Sequence, residues 1–130
     1  MAHTSQRRTY RLGDLQLKIM RVLWELERAS VADVHAHLAA DRLAYTTVAT
    51  MLRKMDDRGL VRHDEEERRF IYEACVSESE VRRSSAEDFL DRVCDGSLAS
   101  AVNHLLETRD VSREELAELQ RLIKQHGRGQ

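Results

Sequence analysis

Tyr45-Thr46-Thr47-Val48-Ala49-Thr50-Met51-Leu52-Arg53-Lys54-Met55-Asp56-Asp57-Arg58-Gly59 is the stretch that decides the fold. Val48, Met51, Leu52 and Met55 recur on one side at helical spacing, which predicts a helix from about Tyr45 to Arg58 with one apolar face. Gly59 stands just past its end, where a residue in the left-handed conformation closes a helix. The opposite face carries Thr46, Thr47, Ala49, Thr50, Arg53 and Lys54. Short hydroxyls, methyls and long cations suit a DNA major groove: hydroxyls bond bases or phosphates, methyls meet the thymine methyl, and Arg or Lys reaches guanine or phosphate. A merely solvated helix face has the same composition, so the flanking elements must decide.

Working upstream, Leu15, Ile19, Val22, Leu23 and Leu26 form an amphipathic stripe over Asp14–Leu26, with Lys18, Arg21 and Glu25 on the other side. Trp24 sits beside that stripe and reads as core filler. Ser30 with Asp33 resembles a capping box opening a short helix, whose Val31, Val34 and Leu38 point inward and which ends near Ala40. Downstream, Leu60–His63 and Arg69–Tyr72 are β-branched or aromatic runs separated by the polar Asp64–Arg68, which predicts a hairpin. The fold class is therefore mainly α: three helices plus a two-stranded hairpin, a winged helix-turn-helix DNA-binding domain over residues 1–75. That context raises the helix after Tyr45 to a recognition helix.

Residues 76–130 read as a helical dimerisation domain. A helix beginning near Ser77–Ser79 carries Val81, Phe89, Leu90 and Val93 and stops at Gly96. Ser97 caps a second, with Leu98, Val102, Leu105 and Leu106 inward. Ser112 and Glu115 form a capping box for a third, which shows Leu116, Leu119, Leu122 and Ile123, with Val111 and Leu116 as its hydrophobic staple. Three short amphipathic helices bury such stripes poorly alone, and a second copy of the chain is the simplest partner, since a two-fold interface pairs one patch with itself.

Charge supports this division. The chain has 130 residues and a net charge of −2, which is modest for a nucleic-acid binder. Residues 1–74 are close to neutral, whereas the remainder is acidic, and residues 1–24 hold Arg7, Arg8, Arg11, Lys18 and Arg21 against Asp14 alone. Arg11, Arg68 and Arg69 join the candidate DNA contacts. Cys75 and Cys94 form no CxxC, and His35 and His37, two apart on a helix, read as surface residues, so no metal site is expected. With no nucleophile–base pairing, Gly-rich phosphate loop or HExxH, the chain is expected to be neither an enzyme nor a cofactor carrier. Without a signal-like segment or a long apolar run, it is expected in the cytoplasm, with no membrane insertion.

Leu43-Ala44-Tyr45-Thr46-Thr47-Val48, then Met51-Leu52 and Arg58-Gly59-Leu60-Val61, resemble the penicillinase-repressor (BlaI/MecI/CopY) family. The resemblance extends over Ile19-Met20, Leu23-Trp24, Asp91-Arg92, Asp95-Gly96-Ser97, His104-Leu105-Leu106 and Ser112–Leu116. It implies a cytoplasmic dimeric repressor whose winged helix reads a palindromic double-stranded operator and whose C-terminal helices dimerise. By position, Thr46, Thr47, Thr50 and Arg53 fall at its DNA contacts, with Ala49 where some members carry a longer side chain. It further implies a membrane sensor protease as partner, releasing the repressor by a cut that falls here at His104-Leu105, where the best-known members have Asn-Phe.

Two departures stand out. The wing bears four consecutive carboxylates, Asp64 to Glu67, where many members mix basic residues with Gly. Acids repel phosphates, so neutralising Glu65, Glu66 and Glu67 is expected to raise non-specific DNA affinity if the wing approaches DNA. The copper-responsive branch carries a C-terminal cysteine cluster that nothing after Cys94 supplies. The alternative function is a winged-helix module that binds a protein rather than DNA, which an acidic wing permits.

Overall fold

A computed structural model describes residues 12–128. Among them the order is α1 (Asp14–Leu26), β1 (Ala29–Ser30), α2 (Val31–His37), a 3-10 turn (Ala39–Asp41), α3 (Tyr45–Asp57), β2 (Val61–Glu66), β3 (Arg69–Ala74), α4 (Glu78–Val93), α5 (Leu98–Thr108) and α6 (Arg113–Gly127). Two compact units result, the first reaching Ala86 and the second starting at Glu87.

The first unit is built on the predicted stripes. Ile19, Met20 and Leu23 of α1, Val34 of α2, and Val48, Leu52 and Met55 of α3 are buried together with Leu60, Val61 and Tyr72. At about 25 cal/mol per Å² of apolar surface removed from water, each of these large side chains contributes roughly 1.5–3 kcal/mol. Local caps fix where the helices start. The Ser30 hydroxyl accepts from the Asp33 N–H at 3.1 Å, and the Asp33 carboxylate accepts from the Ser30 N–H at 3.0 Å. The Ser30 N–H, and after it the Ser30 hydroxyl, hold the Asp33 carboxyl below its usual range. The second helix stops at His37 rather than near Ala40, and the chain tightens into the 3-10 turn.

α3 ends as the sequence predicts. Gly59 takes φ +80°, its N–H bonds the Asp56 carbonyl at 3.0 Å, and the Leu60 N–H reaches back to the Met55 carbonyl at 2.9 Å. Met55 and Leu60 are both buried behind that turn. No atom lies within 4 Å of a Cβ built on Gly59, so Gly59→Ala should cost backbone strain alone, about 1 kcal/mol. Urea unfolding checks it: Gly59→Asn should lose less than Gly59→Ala, because Asn tolerates the left-handed region.

The sheet departs from the predicted hairpin in two respects. It has three strands in the order β1-β3-β2, all antiparallel, because Ala29 and Ser30 pair with Tyr72 and Ile71. A two-residue strand leaves no periodicity to read. The strands of the hairpin also run on through Asp64, Glu65 and Glu66, leaving only Glu67 and Arg68 as the turn. Both turn residues have positive φ, 52° and 66°, as the tight turn that matches strand twist requires. Asn-Gly normally signals it; Glu-Arg does not.

In the second unit, Ser97 accepts from the Ser100 N–H and Ser112 from the Glu115 N–H, each at 3.0 Å, so α5 and α6 start where the sequence places them. α4 opens on the Ser77–Glu80 capping box and closes at Gly96, whose N–H bonds the Leu90 carbonyl at 2.7 Å. α6 has no buried residue. Val93, Leu98, Leu105 and Ile123 are between 47% and 67% exposed, large apolar side chains left uncovered in a single copy.

Candidate nucleic-acid interface

α3 divides as its sequence predicts, with Val48, Leu52 and Met55 fully buried and Thr46, Thr47, Thr50, Arg53 and Lys54 exposed. Ala49 and Met51 lie at the edge, half-buried. The turn leading into the helix is braced by His35. Its Nε2–H donates to the Leu43 carbonyl at 2.8 Å, and its ring meets Tyr45 edge-on with centroids 5.7 Å apart. Half-buried and bonded, His35 is not the free surface residue the sequence suggested, whereas His37 is exposed. On the other side, the Gln16 amide of α1 donates to the Met51 sulfur at 3.5 Å.

The wing stands against both ends of α3. His63 of β2 bonds Asp56 near the C-terminal end of the helix and packs at a tilt against Phe70 and Tyr72, with centroids 4.4 and 5.5 Å away. At the N-terminal end, a cavity of about 260 Å³ is lined by Tyr45, Arg68, Arg69, Phe70 and Ser30–Ala32. The wing-turn cations are thus brought beside the first turn of α3. Arg11 lies outside the described residues. Tyr45 and Phe70, 51% and 47% exposed, were not among the predicted contacts; their exposure depends on which way the wing folds, which helical or strand periodicity does not report.

The strand pleat sorts the wing charges. Arg62, Asp64 and Glu66 share one face with Arg69, Ile71 and Glu73, while His63 and Glu65 share the other with Tyr72 and Phe70. On the first face Arg62 Nε donates to Glu73 at 2.7 Å, holding that carboxyl below its usual range. Arg28, from the α1–β1 turn, bonds Glu66 at 2.6 Å and lies 3.5 Å from Asp64 and 3.4 Å from Glu73. Burial, more than the nearby Asp56 charge, raises the Tyr72 phenol.

Two expectations are redirected. Val81, expected among the dimerisation residues, is buried in the first unit's core, because the start of α4 packs there. Trp24 is half-buried and its indole N–H donates to the Val76 carbonyl at 2.9 Å, so it anchors the link from β3 to α4 besides filling space. Among the described residues no helix is long and apolar enough to cross a membrane.

A helix-turn-helix with an exposed hydroxyl- and cation-bearing second helix, flanked by a hairpin wing, defines a winged helix-turn-helix transcriptional regulator. The penicillinase repressor family model matches residues 12–125, and the chain belongs to that family of transcriptional repressors. It is 29% identical to the penicillinase repressor of Bacillus licheniformis over 116 residues, 88% of this chain and 91% of that protein. To the transcriptional regulator BlaI of Mycobacterium tuberculosis it is 36% identical over 118 residues, 85% of this chain and 86% of that one. Among solved structures, it resembles the DNA-binding domain of the repressor BlaI with a TM-score of 0.50 and 26% identity, covering 56% of this chain and 90% of that domain.

Proposed function

We propose that the chain acts as a homodimer on a palindromic DNA operator, with α3 in the major groove. Thr46, Thr47, Thr50 and Arg53 face base edges; Lys54, Arg68, Arg69 and Arg11 serve phosphates. The observation that carries this reading is the single exposed surface formed by the outer face of α3 and the wing-turn cations beside its first turn. The similarity to a repressor's DNA-binding domain supports it. The protein works in the cytoplasm and performs no catalysis. Residues from Glu87 onward form the dimer through Phe89, Leu90, Val93, Leu98, Val102, Leu105, Leu106, Leu116, Leu119, Leu122 and Ile123. Release follows a cut at His104-Leu105 by a sensor protease. Both residues are exposed, but they lie inside α5, so the helix must open locally before a protease can bind it extended.

Footprinting on DNA upstream of the chain's own gene tests the reading. Two protected half-sites separated by whole turns of the duplex are expected; a single protected half-site, or none, contradicts it. The strained wing turn gives a separate check. Arg68→Gly relieves a positive φ and should stabilise the fold by about 0.5–1 kcal/mol, raising the melting temperature by a few degrees. The same change removes a phosphate contact, so the log-log salt slope of binding should flatten by about 0.9 per lost contact. Calorimetry and a salt titration of the one variant measure both.

A further inference from the structure

Four carboxylates in a row make the wing look uniformly hostile to DNA, yet they occupy different surroundings. Asp64 and Glu66 lie on the sheet face away from the His63–Asp56 bond to α3; Glu65 lies on the face that carries it, and Glu67 is in the turn. Asp64, Glu66 and Glu73 converge on one guanidinium, that of Arg28, at 3.5, 2.6 and 3.4 Å. Arg28 comes from outside the hairpin, 38 residues before Glu66. Its position follows from a backbone kink: Glu27, just before it, has φ 71° and ψ −49°, a conformation that L-residues adopt only where the surroundings impose it.

We propose that Arg28 is a positioning residue for DNA binding, gathering Asp64, Glu66 and Glu73 about its guanidinium, on the sheet face opposite the His63–Asp56 bond, so that their charge is partly neutralised before it can act on DNA. The inference rests on the reading of α3 and the wing as the DNA surface. A planar guanidinium with five donors can serve several carboxylates at once, which a lysine ammonium does less well. Without it, Arg62 still holds Glu73, but Asp64 and Glu66 lose the cation they share and, on flexible side chains, are free to spread toward the phosphates. Exposed ion pairs add little to stability, so losing this cluster leaves the fold intact. Its effect on DNA is larger, because each released charge acts on phosphates within a Debye length. Glu65 and Glu67, outside the cluster, repel DNA whether or not Arg28 is present.

A double-mutant cycle on the full chain, with operator DNA at low salt and a thermal melt of each variant, tests this. Arg28→Gln should weaken binding roughly tenfold with little change in melting temperature, the loss fading as salt rises. Glu66→Gln should change wild-type binding less than about twofold, yet restore most of the affinity lost in Arg28→Gln, while Arg28→Lys should fall between. Glu65→Gln should strengthen binding equally in both backgrounds. Equal gains from Glu66→Gln with and without Arg28 would overturn the proposal and make Arg28 an ordinary DNA-facing cation; so would unchanged binding in Arg28→Gln. Failure of the wild-type chain to bind operator DNA is a different outcome, which overturns the DNA reading and this inference with it.

Discussion

Ending the chain after His104 should yield a folded, monomeric protein whose operator affinity is lower by about 10²–10⁴, the loss expected when two coupled half-site contacts become independent. The cut removes the last turn of α5 and the whole of α6. Folding survives because the core cluster ends at Val81, well before the truncation. Dimerisation does not survive, because Leu105, Leu106, Leu116, Leu122 and Ile123, all large apolar side chains on the surface of one copy, go with the deleted segment. Analytical ultracentrifugation of residues 1–104, followed by titration onto a two-half-site operator, measures both consequences. A dimer of full affinity would show that the second unit neither dimerises the protein nor offers a route to release. Under the proposed release mechanism, a single cut at His104-Leu105 would lower affinity by the same amount without touching the DNA surface.

The second large effect belongs to α3. Thr47→Ala and Arg53→Ala should each weaken specific binding by about 1–3 kcal/mol, between roughly fivefold and 150-fold, with stability almost unchanged. Both side chains are exposed on a helix whose other face is locked into the core by Val48, Leu52 and Met55, so truncation creates no cavity. Base contacts and phosphate contacts separate on a mutated operator: a base-reading Arg53 loses discrimination at one base pair, whereas Lys54→Ala should weaken all sequences alike and flatten the salt slope. Competition binding with single-base operator variants distinguishes them. Wild-type footprints from both alanine variants would remove α3 from the DNA.

What the sequence made legible was whatever repeats along the chain. The stripe of Val48, Leu52 and Met55, the left-handed Gly59, and the caps at Ser30, Ser97 and Ser112 each depend on neighbours within a few residues, and each is where periodicity or a short motif puts it. Contacts between distant residues leave no such trace. Arg28 and Glu66 meet across 38 positions, and His35 braces the Leu43 carbonyl through a turn whose course the sequence does not specify. Asp64–Glu66 reads as loop because acids are poor strand formers; cross-strand pairing and the cation contacts from Arg28 outweigh that preference. The stripe that places Val81 at the dimer states that a face is buried, not what buries it.

Equilibrium titration of the full chain onto DNA from upstream of its own gene, repeated over a series of salt concentrations, tests the central claim most directly. With Arg53, Lys54, Arg68 and Arg69 engaged by two copies, log affinity should fall linearly with log salt, at about 0.9 per phosphate neutralised, and total several units for the dimer. An affinity that does not change with salt, or no binding at the lowest salt, would contradict a DNA-reading repressor and leave the acidic-winged module that binds another protein.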